Sequence, residues 1–179
     1  MRTDSPLVLD VHELLDQPGS RRAIEFDAAV PELRSGLAEV AGDVHLDLVL
    51  EALDGGVLVR GDLTGTSTGQ CRRCLKPVSQ PFDVQGSELY RPPADVWEEG
   101  YALKDGTIDL EPMARDLIGL ELPTSPLCRP DCKGLCTRCG ADLNEGPCDC
   151  GEEIDQRWSA LKDLVVPSDG NGGSPGENR

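Results

Sequence analysis

Apolar and polar residues alternate over positions 43–70, which is the period of a half-buried β-strand. The sequence Asp54-Gly55-Gly56 interrupts this alternation near its centre and is a strong hairpin signal. The apolar positions before it are Val44, Leu46, Leu48 and Leu50, and those after it are Val57, Val59 and Leu63. The pattern predicts two long antiparallel strands, of which the second continues through the Thr-rich residues 64–68 to Cys71.

A third strand is predicted over residues 77–90, and Pro81 places it at a sheet edge because proline cannot donate to a ladder. Its apolar face consists of Val78, Phe82, Val84 and Tyr90. Residues 6–40 carry a weaker pattern, in which Ile24-Glu25-Phe26-Asp27 alternates apolar and acidic residues and predicts another half-buried strand. Residues 91–106 contain Pro and Gly breakers and predict an acidic loop.

The apolar period changes from two to 3.6 residues over positions 109–121, which predicts an amphipathic helix. Asp109 is a candidate N-cap, Pro112 lies in the first turn, and Leu122-Pro123 ends the helix. Its apolar stripe consists of Leu110, Met113, Ala114, Leu117 and Ile118. We therefore expect an α+β fold for residues 1–125, with this helix packed on the apolar face of the antiparallel sheet.

Charge narrows the possible functions. The 179 residues include 17 Lys and Arg and 33 Asp and Glu, so the formal net charge is −16. General nucleic-acid binders need clustered Lys and Arg, and an aromatic content of 3% disfavours a base-stacking platform. No apolar run is long enough to cross a membrane, and the acidic residues at the N-terminus exclude a signal peptide. We expect a cytoplasmic protein without a membrane partner, whose thiols stay reduced.

The eight cysteines form four close pairs, and two pairs together supply the four ligands of a tetrahedral zinc ion. The pairs are Cys71 with Cys74, Cys128 with Cys132, Cys136 with Cys139, and Cys148 with Cys150. The last two pairs lie close in sequence around a turn signal at residues 144–147, and Gly140 fits the turn of a zinc knuckle. The sequence thus predicts two zinc ions and a cysteine-rich zinc-knuckle segment at residues 126–166.

The division of the cysteines leaves alternatives open. Cys136, Cys139, Cys148 and Cys150 form the predicted distal site, and Cys71, Cys74, Cys128 and Cys132 form the predicted proximal site. Cys128 or Cys132 could instead serve the distal ion. Cys71 and Cys74 could also be a redox dithiol, although the strand-like residues after Pro77 argue against the helix that follows such a motif, and four thiolates could also hold an iron–sulfur cluster.

Other candidate chemistry is sparse. His45 lies on the exposed face of a predicted strand and is interpreted as a surface histidine, so we predict no catalytic residue. Arg72, Arg73 and Lys76 surround the first cysteine pair and form either a solvated turn or a local contact to RNA phosphate. Beyond the cysteines, an apolar pattern around Trp158 predicts a short closing helix, and residues 167–179 have the composition of a disordered tail.

Three segments resemble the YceD family, the large ribosomal RNA subunit accumulation proteins. They are Cys71-Arg72-Arg73-Cys74-Leu75-Lys76-Pro77, the helix from Ile108 to Pro123, and the cysteine-rich run from Cys128 to Cys150. The last of these segments resembles the cysteine-rich form of the family. The ending Asp155-Gln156-Arg157-Trp158 is similar to the closing helix of the family, where proline is common at the position of Gln156. The resemblance covers roughly residues 5–166.

The resemblance implies a non-enzymatic factor in the synthesis, processing or accumulation of 23S ribosomal RNA, and hence in large-subunit assembly. With its acidic charge, such a factor would meet a large-subunit precursor or a basic ribosomal protein, with at most indirect or weak contact to rRNA. The acidic positions between Glu88 and Glu121 are the expected docking face. The alternatives are a thiol–disulfide redox protein using Cys71 and Cys74, and a zinc-ribbon nucleic-acid-binding module.

Overall fold

The computed structural model describes residues 5–31, 33–93, 100–151 and 157. About 48% of these residues lie in strands and 12% in helices, and the strands form one sheet that curls into a half-barrel. The strands are β1 (Val8–Asp10), β2 (Arg21–Ala28), β3 (Arg34–Ser35), β4 (Ala38–Leu53), β5 (Gly56–Gln70), β6 (Pro77–Arg91), β7 (Tyr101–Lys104) and β8 (Thr107–Asp109). The helices are α1 (His12–Leu15) and α2 (Glu111–Glu121).

The sheet is built around the three long strands β4, β5 and β6, which follow one another as antiparallel hairpins. The strand order is β1-β8-β7-β6-β5-β4-β2, with β3 paired to β4. Only the pairing of β6 with β7 is parallel among the described strands. The predicted hairpin at Asp54 and Gly55 is confirmed, as is the predicted strand around Ile24, which pairs with β4 as β2.

The alternation of the long strands places one face of each in the core. The large buried side chains of β4 and β5 are Val44, Leu46, Leu48, Leu50, Val57, Val59 and Leu63. Helix α2 covers this face with Met113, Ala114 and Ile118, all of them buried. Leu117 lies against Gly86 of β6, where the Cβ of any other residue would overlap its side chain. The Asp109 carboxylate accepts a hydrogen bond from the backbone N–H of Glu111 at 2.9 Å, so it satisfies a free donor at the start of α2.

The predicted α+β fold class is wrong, because the described chain is mostly β-sheet. The helix exists at its predicted place, but at 11 residues it is a minor element beside strands of 15 and 16 residues. The sequence pattern underestimates the sheet because β1, β7 and β8 have only three or four residues each. So short a segment shows no period, and its identity as a strand depends on a distant partner such as Thr107 opposite Asp10.

The connection between β5 and β6 determines where the cysteines lie. These two strands pair along their whole length from Gln70 opposite Pro77 to Val57 opposite Tyr90, so residues 71–76 form the tip of a long hairpin. Pro81 lies opposite Thr66 in a part of β6 that has no described partner on its other side, as its missing N–H requires. Among the described residues, no helix is long and apolar enough to cross a membrane.

Several predictions from the sequence lie outside the described residues. These are the closing helix around Trp158, the tail at residues 167–179, and the acidic positions Glu98 and Glu99. The proposed boundaries of residues 1–125, 126–166 and 167–179 stay predictions.

Two residues near the C-terminal end of α2 test its packing on the sheet. Ile118 is fully buried, whereas the side chain of Leu120 is 89% exposed. We expect Ile118→Ala to lower the free energy of unfolding by about 2–5 kcal/mol, because it leaves a cavity in the core. The matched variant Leu120→Ala should change it by less than about 0.5 kcal/mol. Urea denaturation of both variants measures the difference, and equal stabilities would show that α2 does not face the core.

Candidate metal centres

The first cysteine pair lies in the tight turn that joins β5 to β6. The backbone N–H of Cys71 donates to the carbonyl of Lys76 at 2.9 Å, and the N–H of Leu75 donates to the carbonyl of Cys71 at 2.9 Å. Leu75 has a φ of 60°, a left-handed conformation that is uncommon for a residue with a side chain. This reversal closes the turn around the two sulfur atoms, so the hairpin tip has the form of a zinc knuckle.

The second pair approaches this tip from the segment that follows α2. The backbone N–H of Arg72 donates to the carbonyl of Pro126 at 2.9 Å, and the guanidinium of Arg73 donates to the carbonyl of Cys132 at 2.7 Å. The N–H of Leu135 in turn donates to the carbonyl of Arg73 at 3.0 Å. These contacts hold the segment at residues 126–135 against the hairpin tip. We call the resulting group of Cys71, Cys74, Cys128 and Cys132 the proximal cluster.

The sulfur geometry of the proximal cluster fits a tetrahedral metal ion. The Sγ atoms of Cys71 and Cys132 are 3.8 Å apart, those of Cys74 and Cys128 are 3.6 Å apart, and all four lie within 4.8 Å of one another. A zinc ion with four Zn–S bonds of about 2.3 Å sets its sulfur atoms roughly 3.8 Å apart. Cys71, Cys74 and Cys132 are buried in a small apolar cluster with Val78, Leu127 and Leu135 at its margin.

The protonation of these thiols also favours a cation at the centre. Burial alone would raise the pKa of Cys71, but the backbone N–H groups of Cys128, Cys74 and Arg73 lower it to about 6. At Cys128, burial and the neighbouring sulfur of Cys74 raise the pKa to about 12. One thiolate is therefore stabilised by backbone dipoles, while further thiolates are opposed by their neighbours. A divalent cation removes that opposition, because it stabilises all four thiolates together.

The other four cysteines form a second group, the distal cluster of Cys136, Cys139, Cys148 and Cys150, whose sulfur atoms also lie within 4.8 Å of one another. The N–H of Cys136 donates to the carbonyl of Ala141 at 2.8 Å, and the N–H of Gly140 donates to the carbonyl of Cys136 at 2.9 Å. Gly140 has a φ of 73°, so it takes the position that Leu75 takes in the first knuckle. The distal cluster is less enclosed, since Cys139 is exposed and the other three are half-buried.

Backbone N–H groups stabilise one thiolate of the distal cluster as well. The N–H groups of Cys139 and Arg138 lower the pKa of Cys136 to about 6. The neighbouring sulfur of Cys139 and burial raise the pKa of Cys150 to about 12. Both clusters therefore offer four sulfur donors of which one is already stabilised as a thiolate. The donor sets fit two structural zinc ions, and the identity of the metal stays a prediction.

The two clusters are joined by polar side chains. The Nζ of Lys76 lies 2.7 Å from Oδ2 of Asp142 and 3.5 Å from Oε1 of Glu145. The hairpin tip is therefore ion-paired to residues 141–147, which we call the distal loop. A hydrogen bond from Lys76 lowers the pKa of the Asp142 carboxyl to about 2. The N–H of Leu143 donates to the carbonyl of Gly134 at 2.9 Å. Residues 141–145 therefore contact both the first knuckle and the strand-like segment before Cys136.

Asn144 lies at the centre of this junction. Its Oδ1 accepts hydrogen bonds from the backbone N–H of Lys133 and from the guanidinium of Arg129, both at 2.8 Å. Its Nδ2 donates to Oδ1 of Asp142 at 2.6 Å and points at Sγ of Cys132 at 3.6 Å. A residue of the distal loop thus supports a sulfur atom of the proximal cluster. Such partners of a ligand orient it and tune its affinity for metal.

The structure places all eight predicted ligand residues in two groups of four, with the membership that the sequence analysis expects. Cys128 and Cys132 lie with the hairpin tip and not with the distal cysteines. Two of the three basic residues near the tip, Arg73 and Lys76, hold other segments in place. The third, Arg72, is exposed to solvent. His45 lies on the outer face of the sheet, as expected, where its hydrogen bond to Asp27 raises its pKa.

Sequence reasoning missed the residues that join the clusters. Lys76 pairs with Asp142 across 66 positions of sequence, and no local pattern links them. Asn144 is recognisable from the sequence as a turn residue, but a turn signal carries no information about the sulfur that its side chain supports. Leu75 carries no signal either, since leucine is uncommon with a positive φ.

Comparisons with known proteins cover most of the chain. The sequence profile of a family described as "Large ribosomal RNA subunit accumulation protein YceD" matches residues 59–165. An uncharacterized protein of Mycobacterium tuberculosis is 38% identical over 173 residues, which are 91% of this chain and 83% of that protein. An uncharacterized protein of Mycobacterium leprae is 37% identical over 174 residues, which are 91% of this chain and 79% of that protein.

A chloroplast protein shares a shorter region. The Arabidopsis thaliana protein named "Large ribosomal RNA subunit accumulation protein YCED homolog 1, chloroplastic" is 45% identical over 58 residues, which are 32% of this chain and 18% of that protein. No solved structure matches the chain.

The two clusters predict the metal content of the purified protein. We expect close to two equivalents of zinc per chain in protein purified without added metal, because each cluster supplies four sulfur ligands. Cys74→Ser should reduce the content to about one equivalent, and so should Cys139→Ser. Inductively coupled plasma mass spectrometry measures the content. A single equivalent in the unaltered chain would exclude one of the two sites, and iron with visible absorption would exclude zinc.

Asn144 predicts that the two sites are linked. Asn144→Asp keeps the acceptor oxygen for Lys133 and Arg129 but removes the N–H groups that face Cys132. We expect a chelator to remove the more slowly released equivalent of zinc about 10–100 times faster from this variant, because that equivalent comes from the enclosed proximal cluster, whose Cys132 sulfur loses its support. Release is followed with a zinc-sensitive dye. Thr137→Ala, in the exposed part of the distal knuckle, is the control and should release zinc at the unaltered rate; equal rates for all three proteins would show that Asn144 has no such role.

Proposed function

Because the chain belongs to the YceD family of large ribosomal RNA subunit accumulation proteins, we propose that it acts in the synthesis, processing or accumulation of 23S ribosomal RNA and hence in assembly of the large subunit. The observation that carries this proposal is the extent of the family match. Residues 59–165 contain most of β5, all of β6 and α2, and every cysteine of both clusters. The hairpin tip and the segment fastened to it are thus part of what this chain shares with the family.

We propose that the protein works by binding, in the cytoplasm, and not by catalysis. The two clusters support this reading because their sulfur atoms are used to hold chain segments together. Zinc bound by these cysteines would supply a structural cross-link between β5, β6 and the segment after α2. Such a cross-link stiffens a small domain without chemistry at the metal, since four protein ligands leave no open position for a substrate.

The outer face of the sheet supports a basic partner. Strand register places Glu25 directly opposite Asp47, and Asp47 directly opposite Asp62. One pair further along, Asp27 is opposite His45, and Asp83 is opposite Thr64. We call the five carboxylates of Glu25, Asp27, Asp47, Asp62 and Asp83 the acidic sheet face. His45 contacts two of them, Asp27 at 2.9 Å and Glu25 at 3.4 Å, so the charge of this face comes mainly from the other three. Like charges directly opposite each other destabilise a sheet by roughly 0.2–1 kcal/mol per pair, so this arrangement favours a contact with opposite charge.

The acidic segment expected from the sequence is a weaker candidate. Glu111 pairs with Arg115, and Asp116 accepts a hydrogen bond from the hydroxyl of Tyr101 at 2.8 Å. Glu98 and Glu99 lie outside the described residues. The partner that we propose is therefore a basic ribosomal protein, or a large-subunit precursor that presents one, docked on the acidic sheet face. Opposite charges speed such an encounter and make it sensitive to salt.

Sedimentation of the tagged full-length chain through sucrose gradients tests this role. We expect it to travel with large-subunit precursors at low salt and to dissociate as salt rises, because exposed charges are screened. The combined variant Asp47→Asn, Asp62→Asn and Asp83→Asn should lose most of this association. Its matched control, Glu13→Gln with Asp16→Asn and Asp54→Asn, changes three exposed carboxylates outside both acidic candidates and should keep it.

Two outcomes would contradict the proposal. Absence of the unaltered chain from precursor fractions at low salt would remove the assembly role. Equal losses in both triple variants would show that net charge and not the acidic sheet face determines the association. Depletion of the protein should also lower the level of large subunits relative to small ones.

A further inference from the structure

Strand β2 forms one end of the sheet and pairs on one side. Among the described strands its partner is β4, with an unbroken register over all eight residues of β2. At the other end of the sheet β1 has three residues, and its Asp10 carbonyl accepts a hydrogen bond from the guanidinium of Arg22 at 2.8 Å. This contact joins the two ends of the curled sheet through a side chain, so it leaves the backbone edge of β2 without a ladder.

The hydrogen bonds between β2 and β4 show which residues of β2 have unpaired backbone groups. The N–H of Ala52 donates to the carbonyl of Ser20 at 3.0 Å, so these two residues lie opposite each other in a hydrogen-bonded pair. Hydrogen-bonded and non-hydrogen-bonded pairs alternate along an antiparallel ladder. The residues whose N–H and C=O groups point away from β4 are therefore Arg21, Ala23, Glu25 and Asp27. All four are exposed.

The sequence of β2 leaves this edge open to another strand. The part of β6 that has no described partner on its outer side contains Pro81, which hinders strand addition, whereas β2 contains neither a proline nor a bulge. Ile24 and Phe26 on the inner side of β2 are partly buried against the core. An added strand would therefore gain backbone hydrogen bonds along the edge and apolar surface beneath it.

We propose that the occupant of this edge is a second copy of the chain, whose β2 pairs antiparallel with the first about a two-fold axis at Ile24. The order of charges favours this occupant, because Arg21 and Asp27 lie three residues on either side of Ile24. The symmetric register places Arg21 of each copy opposite Asp27 of the other, and Ala23 opposite Glu25. It is the register in which all four residues with unpaired backbone groups meet one another, and opposite charges directly across a ladder stabilise it.

The contacts that these charges make within one chain leave them free to pair. Arg21 lies 2.9 Å from Glu51 and Asp27 lies 2.9 Å from His45, yet the side chains of Arg21 and Asp27 are 62% and 67% exposed. Glu51 is also paired with Arg60, so it keeps a cation if Arg21 turns to the second copy. A guanidinium has several N–H donors and a carboxylate several acceptor sites, so each can bind a second group.

Such a dimer enlarges the acidic sheet face. Directly opposite residues of an antiparallel pair project to the same side of the sheet, so the faces of the two copies would form one continuous surface. A basic partner would then meet twice the number of carboxylates. Pairing itself depends on β2 alone and not on the proposed function.

Sedimentation equilibrium of the purified full-length chain at several concentrations tests the pairing. We expect the unaltered chain to dimerise, and Arg21→Asp and Asp27→Arg each to dimerise roughly tenfold more weakly, because each change places like charges opposite each other twice. An equimolar mixture of these two variants should recover the affinity of the unaltered chain, since both charge pairs of the mixed dimer then join opposite charges.

Proline substitution tests the edge without changing its charge. Ala23→Pro removes an N–H that points away from β4, so it should spare the fold, as circular dichroism checks, and prevent dimerisation. Ser79→Pro is the matched control. The N–H of Cys71 donates to the carbonyl of Lys76, so by the same alternation the N–H of Ser79 points away from β5, and this variant should dimerise as the unaltered chain does.

Three results would overturn the pairing of two β2 strands. They are an unaltered chain that stays monomeric at millimolar concentration, a dimer that Ala23→Pro does not weaken, and reversed-charge variants that associate as well alone as in the mixture. If the unaltered chain is monomeric and Ala23→Pro nevertheless abolishes sedimentation with precursor particles, the edge takes a strand of another protein and not a second copy. Since the assay uses the purified chain, failure to dimerise leaves the proposed role in assembly intact.

Discussion

The arrangement of this protein depends on the meeting of four sulfur atoms from two distant parts of the chain. Cys71 and Cys74 lie at the tip of the β5–β6 hairpin, and Cys128 and Cys132 lie beyond α2. The segment at residues 126–151 has almost no helix or strand and little apolar surface of its own. A metal ion shared by these sulfur atoms would close a loop of more than 50 residues, from Cys74 to Cys128. Because only the folded chain brings the four sulfur atoms together, the free energy of metal binding would offset the entropy cost of closing that loop.

The polar contacts between the two clusters position the distal cluster against the proximal one. Lys76, Asp142 and Asn144 connect the hairpin tip to the distal loop, so the distal cysteines are held against a surface that the proximal cluster has already fixed. Arg73 adds a further contact, since its guanidinium donates to the carbonyl of Cys132. Two of the three basic residues around the first cysteine pair therefore hold chain segments together.

The sequence predicts those features that arise from short-range patterns. Alternation around Leu48 and Val59 predicts the long hairpin, the stripe at Met113 and Ile118 predicts α2, and pair spacing predicts two groups of four cysteines. It fails where a partner is distant. The short strands β1 and β8 form because they pair with each other, with Val8 opposite Asp109. A sequence pattern that misses them underestimates the size of the sheet and wrongly predicts an α+β fold. The link from Asn144 to Cys132 depends on tertiary packing in the same way.

Hydrogen exchange in the metal-loaded and the chelated chain tests most directly whether the proximal cluster fastens the cysteine-rich segment to the sheet. The amides of Arg72 and Leu135 report on the junction, since each donates across it, to Pro126 and Arg73. We expect both to lose protection when metal is removed, while amides at the centre of β4 and β5 keep theirs, because the sheet has its own apolar core. Unchanged protection of Arg72 and Leu135 after complete removal of metal would contradict this account.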